Sequence, residues 1–416
     1  MKVDFNYINI YKNEFKDYSL KFFIKDLLAG FTIVAVALPL GLSYGITSGT
    51  GAISGLYSFL FGGVIIAAMS NVSFQVNGST AVTLGILASL TSMYGPQAVF
   101  LTGLISGFII LLCSIFNLGR YINYTPNEIV LGLNSGISIL LIANQLNKLF
   151  GVPGIHGSSI EKIIFAFSNI QDSNLISLGM GLCTIIILFL YPRKLNNIFP
   201  ASLVVIMLFL IINIIFKLDI ATIGEIPTSI FNAISLNFNY ISFKNILPLI
   251  APSFSIGFLL ILKSISCGLA SAKQKDETLD SNNELFALGI GNMILPFIGA
   301  IPTAASISCT QVGIMNNQKT RVSVLIHSIT ILFIILFFGN YMSKIPLTVL
   351  AGILITTGIK MNKIKTLKEV FKNPKKHLPF IITAITVLIK NVSLGIILGL
   401  VSYYILNKIR RGSLEK

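Results

Sequence analysis

QVNGSTAVTLG (75–85) and IPTAASISCTQVG (301–313) decide how this chain of 416 residues is built. Each sits inside an apolar region and each begins as a poor helix, the first with a β-like run broken by Gly78, the second with Pro302 and small polar residues. Interrupted helices at matching places in the two halves of a hydrophobic chain are the best sequence pointer to a transporter site. An ungapped offset of 229 residues supports the match. It lays Leu56, Tyr57 and Gly62 on Leu285, Phe286 and Gly291, and Ser79 and Thr80 on Ser308 and Cys309. The expectation is an inverted repeat of seven plus seven helices, with short β-like segments before half-helices 3 and 10.

Outward from these breaks, apolar runs near 20 residues recur from Asp26 to Asn407, each about the length that crosses a roughly 30 Å hydrocarbon core as a helix. The spans read as 26–46, 52–70, 75–92, 97–117, 125–147, 174–192, 198–217, 246–272, 284–300, 303–317, 320–338, 345–361, 378–390 and 391–408. Twelve of them read as full crossings. With 54% hydrophobic residues, 11% charged and a mean hydropathy of +0.84, against roughly 25% charged in soluble domains, a soluble protein is excluded. The fold class is an all-α polytopic membrane protein. The loops 148–173 and 218–245 are Asn/Ser-rich and irregular.

The net charge of +15 marks topology rather than a nucleic-acid partner. Of 30 Lys and Arg, 23 fall in residues 1–25, at Arg120, at Arg193 and Lys194, at Lys273 and Lys275, at Lys319 and Arg321, in the 360–376 loop and after residue 407. These are alternate connections, so both termini are expected on the cytoplasmic side of the inner membrane. No cleavable signal peptide is read in the polar, lysine-bearing first 25 residues. Cys113, Cys183, Cys267 and Cys309 lie in apolar runs without C-x-x-C spacing, and His156, His327 and His377 are scattered. Neither a disulfide framework nor a metal is expected. Nucleotide motifs and a membrane-embedded catalytic set are missing too, so the chain is read as no enzyme and any transport as secondary or passive.

A half-helix that begins in mid membrane leaves its first amides unpaired, and its macrodipole puts roughly half a positive charge there. Two such ends meeting make a pocket for an anion. Ser79, Thr80, Ser306 and Ser308 add hydroxyl donors at both breaks. Small residues also serve close helix packing, and it is the clustering at both breaks that favours a site.

Lys263 supplies the sign. It lies in APSFSIGFLLILKSISCGLASAK (251–273), nine residues or so from the cytoplasmic end, about 13 Å deep and near the midplane. An ionised lysine there costs at least roughly 2.5 to 3.5 kcal/mol unless compensated. Every Asp and Glu lies in a tail, a loop or at a span end, among them Asp26, Glu128 and Glu284. Lys263 is then uncharged, matched by a bound anion, or held by carbonyls and water in a polar cavity.

At these residues the chain resembles the SulP family of sulfate and anion transporters. DLLAGFTIVAVALPLGLSYGITSG (26–49), GLYSFLFGG (55–63), QVNGSTAV (75–82), YTPNEIVLGLNSGISILLIANQLNKLFGV (124–152), SNNELFALGIGN (281–292), IPTAASISCTQVG (301–313), KTRVSVLIHS (319–328) and IPLTVLAGILI (345–355) follow in family order. The resemblance implies a core domain (26–120 and 246–340, helices 1–4 and 8–11), a gate domain (121–245 and 341–408, helices 5–7 and 12–14) and cytoplasmic tails at 1–25 and 409–416. The core would move as an elevator or rock against the gate, with a homodimer through the gate domains. The family's anion site falls on Leu40, Tyr44, Thr80, Ser308 and Cys309. Ser79, Ala81, Lys263 and Ser306 complete the candidate set. The substrate implied is a small inorganic anion such as sulfate or bicarbonate.

Three departures carry weight. Lys263 stands where many members have an acidic residue associated with cation coupling, Cys309 where many have arginine, and the STAS domain that ends most members is not read here. Lys263 is expected to replace both the coupling cation and the missing arginine. Sodium coupling is then not expected, leaving the proton as coupling ion. No cofactor is expected. A nucleobase or C4-dicarboxylate permease of the same architecture, an anion channel and a non-transporting receptor remain as alternatives, the first weakened because nucleobase permeases use carboxylates in helices 8 and 10.

Overall fold

The computed structural model describes residues 7–120, 126–154, 159–196, 199–224, 234–275, 278–362, 370, 372, 377–390 and 392–414. His156, Tyr124 and Thr125, and most of the basic 360–376 loop lie outside them. The first half runs α1 (Tyr7–Phe15), α2 (Leu20–Ser48), α3 (Ala52–Met69), β1 (Asn77–Ser79), α4 (Ala81–Tyr94), α5 (Pro96–Ile115), α6 (Asn127–Ala143), α7 (Leu146–Phe150), α8 (Ser159–Ser168), α9 (Leu175–Leu190), α10 (Arg193–Asn196) and α11 (Ala201–Phe216). The second runs α12 (Phe243–Lys275), α13 (Ser281–Ile298), β2 (Thr303–Ala305), α14 (Ile307–Met315), α15 (Val322–Met342), α16 (Leu347–Met361), α17 (Leu378–Ile389) and α18 (Val392–Leu414).

Helix ends follow local chemistry. Gly49 (φ 79°) and Gly299 (φ 86°) close α2 and α13 in the left-handed region, where a Cβ is costly. The Asp280 carboxylate accepts from the Asn282 amide at 2.9 Å and caps α13. Each segment read as a span contains a helix; among the described residues six helical stretches have the length and hydropathy of a full crossing, and six shorter apolar helices accompany them. Apolar composition runs on past the last hydrogen-bonded turn into Tyr191, Pro192 and Pro200, which stop α9 and start α11.

Two ends differ the other way. α2 starts at Leu20 rather than Asp26, and α18 runs to Leu414 rather than stopping near residue 408. Asp26 is thus fully buried inside a helix. Its carboxylate accepts from the Lys319 amide (2.6 Å), the Thr320 amide (3.1 Å) and the Thr320 hydroxyl (2.6 Å), which gives it partners that a chain end would lack.

Helices α2, α3, α5, α12, α13 and α15 pack on one another, while α6 packs on α16 and α17, α17 on α18, and α9 on α16. The α2–α3 crossing is close enough that a Cβ on Gly55 would lie 2.0 Å from the Gly41 carbonyl oxygen, so glycine is required there.

β1 and β2 pair antiparallel, Asn77 opposite Ala305, Gly78 opposite Ala304 and Ser79 opposite Thr303. This crossing of two halves is what an inverted repeat produces, but it corrects the ungapped offset. Thr80 and Ser306 are the equivalent N-caps, three residues away from the expected pairing of Thr80 with Cys309. The link between α13 and β2 is three residues shorter than that between α3 and β1.

Candidate functional site

Two three-residue strands in the middle of a hydrophobic molecule must satisfy every backbone group internally. Beyond their mutual ladder, the Ser306 amide donates to the Val76 carbonyl at 2.8 Å. The Val76 amide donates to the Thr310 hydroxyl at 3.0 Å, and the Ala305 amide to the Ser264 hydroxyl at 3.0 Å. Asn292 binds Thr303 on both sides, accepting from its amide (2.8 Å) and donating to its carbonyl (2.8 Å). Gly78 lies so close to Phe59 that a Cβ would fall 2.2 Å from the ring. These contacts fix where α4 and α14 begin.

Because the ladder is antiparallel, α4 and α14 leave it from opposite ends, each with its N-terminus toward the centre. Neither the Thr80 hydroxyl nor any other side chain caps α4, and Ser306 caps α14 only through a long 3.5 Å contact to the Cys309 amide. First-turn amides at Ala81, Val82, Ile307 and Ser308 have no partner within their own helices.

A cavity of about 360 Å³ lies where these ends meet. Eight of the nine residues singled out in the sequence line it: Leu40 and Tyr44 from α2, Ser79, Thr80 and Ala81 at the first break, Lys263 from α12, and Ser306 and Ser308 at the second. Cys309 does not. Its side chain is fully buried and is not among the lining residues. The Ser79 hydroxyl is buried without a hydrogen-bond partner.

Sequence reasoning missed the far wall. Asn134 of α6 and Thr357, Lys360 and Met361 of α16 also line the cavity. Lys360 had been counted only as a marker of the basic loop. Its ammonium donates to the Leu188 carbonyl at 3.1 Å and lies 5.4 Å from the Phe189 ring centroid. Two lysines are therefore among the lining residues, and no Asp or Glu is among the described ones. The salt bridge of Glu14 to Arg321, at 2.7 Å, lies elsewhere. Asn134 and Thr357 carried a usable signal, single polar residues on long apolar helices, but nothing in the sequence said which way they face.

The description "Sulfate permease family" matches residues 23–386. The chain belongs to this family. YvdB of Bacillus subtilis is 27% identical to this sulfate permease family chain over 405 residues, covering 94% of the chain and 76% of YvdB. The bicarbonate transporter BicA of Picosynechococcus sp. is 26% identical over 350 residues, and the chain spans only 61% of its length. The solved transmembrane domain of a cyanobacterium bicarbonate transporter BicA superposes with a TM-score of 0.81 at 24% identity, covering 92% of the chain and 98% of that domain, which establishes the fold.

Two buried carboxylate clusters of this family member lie outside the cavity. Glu284 is fully buried and accepts from the Ser70 hydroxyl at 2.6 Å and the Gln75 amide at 2.9 Å. Arg321 donates to Glu14 and to the Ala67 carbonyl (2.6 Å), with its guanidinium 4.3 Å from the Tyr11 ring. Residues read as part of a cytoplasmic tail are thereby clamped to α3 and α15. Beside them, burial and then the charge of Asp26 push the Tyr18 phenol up.

Proposed function

We propose that the chain is a secondary or passive transporter of a small inorganic anion, bound between the starts of α4 and α14 and released on alternate sides of the membrane. The observation that carries the reading is the 360 Å³ cavity, where the α4 N-terminus, without a side-chain cap, and the α14 N-terminus, capped only by Ser306, meet beside Lys263, with Lys360 also in the lining and no carboxylate among the described lining residues. Helix dipoles and fixed cations with no counter-charge favour an anion, and a neutral nucleobase would find no carboxylate to bond. Sulfate and bicarbonate are the substrates proposed, since the family is described by the one and BicA by the other.

The residues that line the cavity are proposed as the binding set, with Cys309 acting only as packing beneath it. α2–α5 and α12–α15 are proposed as the moving core and the remaining spans as the gate, resting on the family resemblance and on which helices pack together. Both termini are proposed on the cytoplasmic side of the inner membrane, from the distribution of Lys and Arg. A homodimer through the gate helices belongs to the same proposal; native mass measurement of the reconstituted chain checks it. A proton is the proposed coupling ion.

Uptake of labelled sulfate and of labelled bicarbonate into proteoliposomes, each with and without a sodium gradient, tests the reading. Saturable uptake of one of them that is insensitive to sodium is expected. No uptake of either sinks the substrate assignment, and strong sodium dependence sinks the role of Lys263 as a substitute for the cation.

A further inference from the structure

A second cavity, of about 450 Å³, lies at the opposite ends of the same helices. It is lined by Asn144, Asn147, Lys148 and Lys162 from α6–α8 and by the first turns of α9 and α16 at Ser177 and Thr348, and it shares no residue with the mid-membrane cavity. Its chemistry is again one-signed. Lys162 donates to the Asn144 amide oxygen at 2.8 Å. Burial first, and then the neighbouring Lys162 cation, pull the Lys148 pKa down. No carboxylate is among the described residues that line the cavity.

Two partly buried ammonium groups facing one space repel each other unless an anion lies between them. The helix ends add to this. α9 and α16 both begin at the cavity, bringing the positive ends of their macrodipoles to it. An independent observation comes from Asn147, which lines the cavity at 8% exposure while its amide oxygen has no hydrogen-bond partner. An anion would be met by that amide through its NH2, the oxygen being an acceptor.

We propose that this cavity is a second anion-binding site, separate from the transport cavity, in which Lys148, Lys162 and Asn147 hold a small inorganic anion on the outer side of the molecule. An ion captured there neutralises two facing lysines and raises the local anion concentration next to the gate helices. The site needs only the outer cavity and stands whether or not the transport reading does.

Equilibrium binding of labelled sulfate and labelled chloride to the purified full chain, in a phosphate-free non-ionic detergent and again in phospholipid nanodiscs, tests it. The wild type is expected to bind a second ion of at least one probe beyond that lost in Lys263→Gln. Lys148→Gln/Lys162→Gln is expected to lose that second ion alone and to keep proteoliposome uptake, and Lys148→Arg/Lys162→Arg to restore it. A double Gln variant that binds as many ions as the wild type overturns the proposal, as does a wild type with no saturable binding outside the Lys263-dependent site. Loss of the second ion only in nanodiscs assigns the space to a lipid headgroup and overturns it too. Monodispersity of each variant on size exclusion separates a lost site from a lost fold.

Discussion

Lys263 carries the sharpest expectation at the scale of single residues. If its ammonium holds the anion, Lys263→Ala should lower uptake at least about tenfold, roughly 1.4 kcal/mol of lost stabilisation, while Lys263→Arg keeps charge and part of the activity. Lys263→Glu should abolish uptake or make it depend on a cation. Uptake assays on matched amounts of reconstituted protein decide, and an unaffected Lys263→Ala carrier returns the residue to a structural role. Asn292 makes a different claim. Asn292→Leu leaves the buried Thr303 amide and carbonyl without their side-chain partner, a cost of about 1–3 kcal/mol for each unsatisfied group. A lowered thermal midpoint of the purified protein is the expected result.

At the scale of elements, the strand crossing and the amino-terminal clamp are the parts most exposed to test. Gly78→Ala forces a methyl to within 2.2 Å of the Phe59 ring. It should reduce the yield of monodisperse protein, with Phe59→Leu in the same chain recovering part of it. Glu14→Ala leaves Arg321, whose side chain is 5% exposed, without its anion; removing one partner of a buried pair costs about 3–5 kcal/mol. Release of α1, read as increased protease sensitivity of the first 20 or so residues, is the expected outcome. The sequence made both breaks visible because Gly78 and Pro302 interrupt apolar runs. The offset paired Thr80 with Cys309 because an ungapped match cannot absorb a link three residues shorter, while Cys309 entered the candidate set through the family resemblance. Sequence reasoning missed the clamp because Glu14 and Arg321 are 307 positions apart, and charges in connecting segments were read only for topology.

Across the whole molecule, the two cavities give the membrane orientation a test that composition alone could not. In a chain with its four cysteines replaced, Lys360→Cys should react with a membrane-impermeant thiol reagent from the cytoplasmic face, and Lys148→Cys from the outer face. Labelling in the reverse sense overturns the orientation. That the chain is a multi-pass helical membrane protein was legible from hydropathy, since apolar runs of crossing length admit no other solution. The walls of the cavity supplied by α6 and α16 were not, because the facing of Asn134, Thr357 and Lys360 is decided by packing between helices distant in sequence.

The ladder between Asn77–Ser79 and Thr303–Ala305 also constrains how the protein is made. During synthesis, more than 200 residues must emerge after β1 before its partner exists, and until then its backbone groups have nothing of their own to bond in the membrane interior. The first half cannot mature by itself. It must wait, hydrated or held by the insertion machinery, so halves expressed as separate chains should each be degraded and should survive only when made together.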